Sequence, residues 1–181
     1  MIDKVISTLH LRADDDLYVV SNWGEAGSHK TITLEHETVG ATETVLLALK
    51  ELFKESKAKS DAPLLLLDCD AIYHCDVLSK FRELVSEASI RAAALCFEEN
   101  EDEKESTPKF SYVIADGSGL VSEVKEKVRI GPLANTGAYW FASTHEFMQV
   151  ADSIIQTADF QLGEAYISCV LLPFDYCINF L

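Results

Sequence analysis

Apolar residues at Ile2, Val5, Ile6 and Leu9 recur at helical spacing, and after the polar stretch RADDD the run LYVVS predicts a strand over Leu17 to Val20. Two glycines in NWGEAGSHK mark a loop, and TITLEH alternates briefly. Gly40 then stands before ATETVLLALKELFKESK, where Val45, Leu46, Leu49, Leu52 and Phe53 line one face of a helix. Lys54, Lys57 and Lys59 suit the C-terminal end of that helix. Pro63 opens PLLLL, a run too short to span a bilayer, which predicts a strand buried on both faces of a sheet. In DVLSKFRELVSEA the residues Val77, Leu78, Phe81, Leu84 and Val85 predict a second helical face.

Further along, IRAAALCFE and KFSYVIA predict strands joined by the polar loop ENEDEKESTP. DGSG predicts a tight turn before a strand in LVSEVKEK. AYWFAS predicts another strand, and HEFMQVADSIIQTA a last helix with Phe147, Val150, Ala151, Ile154 and Ile155 on one side. Helices alternating with strands predict an α/β fold, a mostly parallel mixed sheet flanked by helices. No internal repeat is visible, and 181 residues suit one domain spanning 1–181.

Charge narrows the partners. With 30 acidic against 15 basic side chains the formal charge is -15, which repels phosphate backbones and anionic lipid, so neither nucleic acid nor a membrane surface is the expected partner. The start, MIDKVISTLHLRADDD, lacks a basic segment followed by an apolar core, and no stretch approaches the roughly 20 apolar residues of a membrane span. A cytoplasmic location is the expectation. Cys69, Cys75, Cys96, Cys169 and Cys177 are scattered singly, which predicts reduced, buried thiols rather than disulfides or a zinc site.

Three groups of residues could carry chemistry. Asp68 and Asp70 lie just beyond the leucine strand, where α/β sheets bind ligands, and two such carboxylates can share Mg²⁺ or Mn²⁺, which can in turn hold a phosphate. Asp76 reads as the cap of the following helix. Gly40 and Ala41 precede a helix whose first N–H groups welcome an anion or a base edge, although an ordinary loop glycine explains Gly40 as well. Last, VKEKVRIGPLANTGAYWF sets Glu126 and Lys127 at a strand end and Asn135, Thr136 and Gly137 before another strand. Lysine suits a phosphate and glutamate suits sugar hydroxyls, while alternating EVKEK, taken alone, is more often a solvated strand edge.

Taken in order, ETVGATETVLLAL, PLLLLDCD, GLVSEVKEK and LANTGAYWF resemble segments of the sugar-phosphate nucleotidyltransferases, the nucleoside-diphosphate-sugar pyrophosphorylases. The resemblance implies a GT-A-like, Rossmann-like nucleotide-binding fold. It places Gly40 and Ala41 beside the nucleotide, Asp70 with Asp68 on the metal, and Lys127 on the phosphate of a sugar phosphate. Glu126, Asn135, Gly137 and Glu164 would surround the sugar. The implied reaction is attack by a sugar 1-phosphate, or a similar phosphomonoester, on the α-phosphate of a nucleoside triphosphate, releasing pyrophosphate, by positioning and charge neutralisation.

The chain departs from the family pattern in having no G-x-G-T-R loop or following lysine segment, and no downstream aspartate to complete the metal site. This reads as truncation at both ends relative to the family, with the expectation that the chain alone does not reach a family-like rate. A catalytically silent nucleotide-sugar-binding or regulatory subunit and a GT-A glycosyltransferase are the alternatives, and assembly into a homo-oligomer stays open.

Overall fold

The computed structural model describes residues 1–54, 61–84, 89–99, 107–158, 160–174 and 177–180. In chain order the elements are α1 (Ile2–Ser7), β1 (Val19–Ser21), β2 (Thr31–Thr33), α2 (Ala41–Leu52), β3 (Leu64–Leu67), α3 (Val77–Leu84) and β4 (Ala92–Glu98). There follow β5 (Ser111–Ala115), β6 (Val121–Glu126), β7 (Leu133–Phe141), α4 (Thr144–Thr157), α5 (Ile167–Leu171) and, after a 3-10 turn at Leu172–Phe174, β8 (Cys177–Phe180). The chain forms two compact units, one of Met1–Leu11, Pro63–Ala142 and Leu171–Leu181, the other of Arg12–Ala62 and Ser143–Val170.

The first unit is organised by β7. On one edge β4 pairs with it from Ala92 opposite Phe141 to Glu98 opposite Leu133. Its other edge is shared, β5 pairing at Leu133 and Ala134 and β3 at Ala138 through Phe141. All three neighbours run antiparallel to β7, β6 runs antiparallel to β5, and β8 joins β4 in parallel. The expected mostly parallel sheet is therefore corrected to a mainly antiparallel one. The alternation was informative about β3, α3 and β4: both strands oppose β7, so they run in the same direction, as a strand–helix–strand crossover requires. What it did not reveal is that a later strand, arriving after the β5–β6 hairpin, occupies the slot between them and runs the other way.

β7 also begins earlier than AYWFAS suggested, because LANTG is strand. Its pairing with β4 slips between Ala94, opposite Tyr139, and Cys96, opposite Asn135, so Thr136, Gly137 and Ala138 bulge opposite Leu95. Thr136 Oγ1 donates to the Leu95 carbonyl at 2.9 Å across the interrupted ladder. Glycine inside a strand marks such a bulge, and Gly137 has φ +82.

The apolar packing of this unit joins α3 to the sheet: Val77, Leu78 and Phe81 are buried with Ala93, Leu95, Ala138, Trp140 and Tyr73, and Leu9, Leu65 and Leu67 pack against them. The leucines of β3 are half-buried rather than sealed on both faces. Val85 lies outside the described residues, as do Lys57, Lys59 and most of the ENEDEKESTP loop.

In the second unit β1 and β2 form a parallel pair, Val19 opposite Thr31, so the strand expected from Leu17 starts two residues later. α2 ends at Leu52, before Lys54. It packs with α4, and Lys50 donates to Asp152 at 2.6 Å. α4 opens with a serine N-cap: Ser143 Oγ accepts from the Glu146 N–H at 3.3 Å. α5 and β8 had no distinct periodicity in YISCVLLPFDYCINF and were not anticipated. Among the described residues no helix is long and apolar enough to cross a membrane. Of the cysteines, Cys96 and Cys169 are buried and outside any disulfide, but Cys69 is exposed and Cys75 half-buried, which corrects the expectation of buried thiols at those two positions.

Candidate functional site

In the first unit the end of β3 meets the bulge of β7. The Asp68 N–H donates to the Gly137 carbonyl at 2.9 Å, extending the β3–β7 ladder by one bond. The Asp68 side chain then folds over the glycine: a Cβ on residue 137 would collide with Asp68 Oδ2 and lie 2.5 Å from its Cγ and 2.8 Å from its Cβ. No side chain but hydrogen leaves room for that carboxylate, and the left-handed φ of +82 favours glycine independently.

Asp68 is electrostatically unlike its neighbours. Loss of hydration against the surrounding protein, followed by repulsion from Asp70 and Glu126, pushes its carboxyl up to about 6. The residue as a whole remains exposed, consistent with a carboxyl packed on protein from one side and reached by water from the other. Tyr73, buried beneath, donates to the Thr136 carbonyl at 3.3 Å; burial and the Asp68 charge push its hydroxyl upward, so it stays a neutral donor.

Glu126, the last residue of β6, is buried, 6% exposed. Lys127 follows at φ 53, a left-handed conformation uncommon outside glycine, asparagine and aspartate, with its N–H bonded to the Phe110 carbonyl at 2.9 Å. Asn135 lies within the sheet, its carboxamide accepting from Cys96 Sγ at 2.9 Å and donating to Ser111 Oγ at 2.7 Å. Those bonds occupy one of its two N–H groups and one acceptor site of its oxygen.

Gly40, Ala41 and Glu164 belong to the second unit. At Gly40, φ +144, a Cβ would meet Ala165 N and O at 2.7 Å each. The Ala165 N–H donates to the Val39 carbonyl at 2.9 Å and its carbonyl accepts from the Thr42 N–H at 2.9 Å. Protein backbone thus fills the space beside Gly40 and engages an N–H of the first turn after Ala41. Glu164 adjoins that crossing strand of chain and pairs through its backbone with Gln161. Asp76 caps α3 as expected: it accepts from Ser79 N–H at 3.0 Å and Ser79 Oγ at 2.7 Å and lies 2.9 Å from His10. The Ser79 hydroxyl and N–H, then His10, hold its carboxyl down at about 2.

Could these residues hold a divalent cation? Among the described residues no three His, Cys, Asp or Glu side chains are arranged as a metal shell. The chemistry of the donors is nevertheless suited: Asp68 and Asp70 are hard oxygen ligands under mutual repulsion, and Mg²⁺ uses one or two carboxylates and completes its shell with water and phosphate oxygens. Sequence reasoning missed Tyr73, Cys96 and Ser111, because each is recruited by strand pairing or burial that no local pattern encodes.

No family model matches the chain, and no curated protein matches it. Solved structures do. A nucleoside-diphosphate-sugar pyrophosphorylase from Vibrio cholerae RC9 aligns with TM-score 0.62 and 20% identity, over 84% of this chain and 60% of that one. A candidate glucose-1-phosphate thymidylyltransferase from Bacillus anthracis, in complex with sucrose, aligns with TM-score 0.60 and 16% identity, over 84% of this chain and 57% of that one. The chain has a sugar-nucleotidyltransferase-like fold. It spans less than two thirds of the length of these neighbours, and at such identities the likeness concerns the fold alone.

Proposed function

We propose that the chain is a nucleotidyltransferase-like domain that binds a nucleotide and a sugar phosphate with a divalent cation, for transfer of a nucleoside monophosphate onto the sugar phosphate. The observation that carries this reading is the Asp68 carboxyl seated over Gly137, destabilised as an anion by loss of hydration and then by Asp70 and Glu126, on a fold populated by sugar nucleotidyltransferases. In it Asp70 and Asp68 hold Mg²⁺ or Mn²⁺, which when bound would neutralise phosphate charge. Lys127 takes the phosphate of the sugar phosphate, and Glu126, buried at the strand end, accepts from sugar hydroxyls, with Asn135, Gly137 and, less directly, Glu164 as further sugar residues. Gly40 and Ala41 are assigned to the nucleotide by resemblance, and the Ala165 crossing gives Gly40 a sufficient reason of its own.

Calorimetric titration with nucleoside triphosphates and with glucose 1-phosphate, each with and without Mg²⁺, tests the reading. Cation-dependent heat that disappears in Asp70→Asn and, for the sugar phosphate, in Lys127→Ala supports it. Binding unchanged in both variants would overturn it.

A further inference from the structure

We propose that Arg129 and Glu99 form a clamp that positions Lys127, fixing the left-handed turn from which its ammonium meets a phosphate; the inference rests on the reading of Lys127 given above. Arg129 Nε donates to Glu99 Oε2 at 2.7 Å and Nη2 donates to Glu99 Oε1 at 3.1 Å, a two-pronged pair. The carboxylate side chain is only 9% exposed and the guanidinium side chain 23%. The clamp is thus shielded more than an ordinary surface ion pair, which carries little constraint.

Its neighbours make it a fixed point. Arg129 Nη2 also donates to the Tyr112 hydroxyl at 3.3 Å, and the guanidinium carbon lies 5.3 Å from the centre of that ring. Tyr112 is fully buried and meets Phe110 edge-on at 6.3 Å; Phe110 in turn meets Phe97 at 5.2 Å. Phe110 supplies the carbonyl that accepts the Lys127 N–H, and the Glu99 N–H donates to the Pro132 carbonyl at 2.9 Å. The segment between Lys127 and Pro132 is therefore tied at its start by Phe110, at its middle by Arg129 and at its end by Glu99.

Such fastening has a purpose beyond closing a surface connection. A non-glycine residue persists in the left-handed region only where its surroundings determine it, and the residue so held is the lysine beside the buried Glu126. A flexible four-carbon side chain can be aimed only as well as its backbone is fixed. The planar fork of arginine, unlike a lysine ammonium, fixes both distance and orientation against a carboxylate.

The test compares wild type, Arg129→Lys, Glu99→Gln and Lys127→Ala by thermal melting, by amide hydrogen exchange at Lys127 and by titration with glucose 1-phosphate. In Arg129→Lys and Glu99→Gln the Lys127 amide should exchange at least about tenfold faster and glucose 1-phosphate should bind about tenfold more weakly, with exchange in β4 unchanged. Should one variant fail to fold, the other carries the comparison. Unchanged exchange at Lys127 in the folded variants overturns the clamp, as does faster exchange with wild-type affinity. Equal affinity in wild type and Lys127→Ala overturns the phosphate reading itself, and is told apart because the exchange measurement needs no ligand.

Discussion

Gly40 and Gly137 look alike in the sequence, each a glycine in a segment resembling a ligand-contacting motif, yet the structure fills the space beside them differently. At Gly40 the intruder is the backbone of Ala165, held by hydrogen bonds to Val39 and Thr42. At Gly137 it is the carboxyl of Asp68, the end of an ionisable side chain in an acidic cluster. A glycine that admits the chain's own backbone is explained by packing. One that admits a carboxylate, on top of the bulge and left-handed φ that already call for glycine, is the position on which the proposed cation site depends.

The contrast predicts unequal responses to one methyl group. Gly40→Ala should be the more damaging, because main-chain atoms at 2.7 Å have no rotamer to change and φ +144 disfavours alanine as well; we expect a loss of about 3 kcal/mol or more in urea unfolding. Gly137→Ala should cost less, about 2 kcal/mol, since the Asp68 carboxyl can swing aside from the new methyl while its Cβ, 2.8 Å away, yields only with a small backbone shift. That swing should abolish cation binding, whereas Gly40→Ala should leave the acidic cluster intact in the folded fraction. Equal losses of stability would erase the distinction.

Asp76 provides a control of a third kind, an aspartate in the same segment with a purely structural set of partners. Asp76→Ala should cost about 1 kcal/mol, as removal of a helix cap does. Because its folded carboxyl is held down at about 2 from an ordinary 3.8, the stability it adds is present above pH 4 and lost as pH falls toward 2. Urea midpoints that decline equally between pH 4 and 2 in wild type and variant would contradict the cap.

The smallest expected effect has the opposite sign. Asp68 is raised to about 6, so between 3.8 and 6 the folded state holds a proton that the unfolded chain releases, and stability falls as pH rises through that window. Asp68→Asn should therefore leave stability unchanged at pH 4 and increase it slightly at pH 7.5. A variant less stable than wild type at pH 7.5 would show that the carboxylate is held by favourable contacts.

Much of the architecture was legible because burial imposes periodicity. α2, α3 and α4 follow their apolar faces, and the strand runs beginning at Leu64, Ala92, Ser111 and Val121 stand where their apolar residues put them. Strand direction was not legible: the β3–α3–β4 crossover implied parallel neighbours, and nothing local announced that β7 would be inserted between them in reverse. β7 was also read short, since Asn135, Thr136 and Gly137 look like loop residues, and they are strand only because the bulge opposite Leu95 accommodates them. Asp68 and Asp70 were visible as candidates from their place after four leucines. The partnership of Asp68 with Gly137 and Glu126 was not, because it joins residues far apart in the chain through sheet pairing.

The central claim is that the acids around Gly137 form a cation site, and Mn²⁺ affinity from pH 5 to 8, followed by electron paramagnetic resonance on wild type, Asp70→Asn and Asp76→Asn, tests it most directly. The account predicts affinity that strengthens as pH rises through about 6, where Asp68 loses its proton to solvent and its carboxylate becomes available to the metal, an affinity lost in Asp70→Asn and kept in Asp76→Asn. Equal Mn²⁺ affinity in wild type and Asp70→Asn across that range would contradict it.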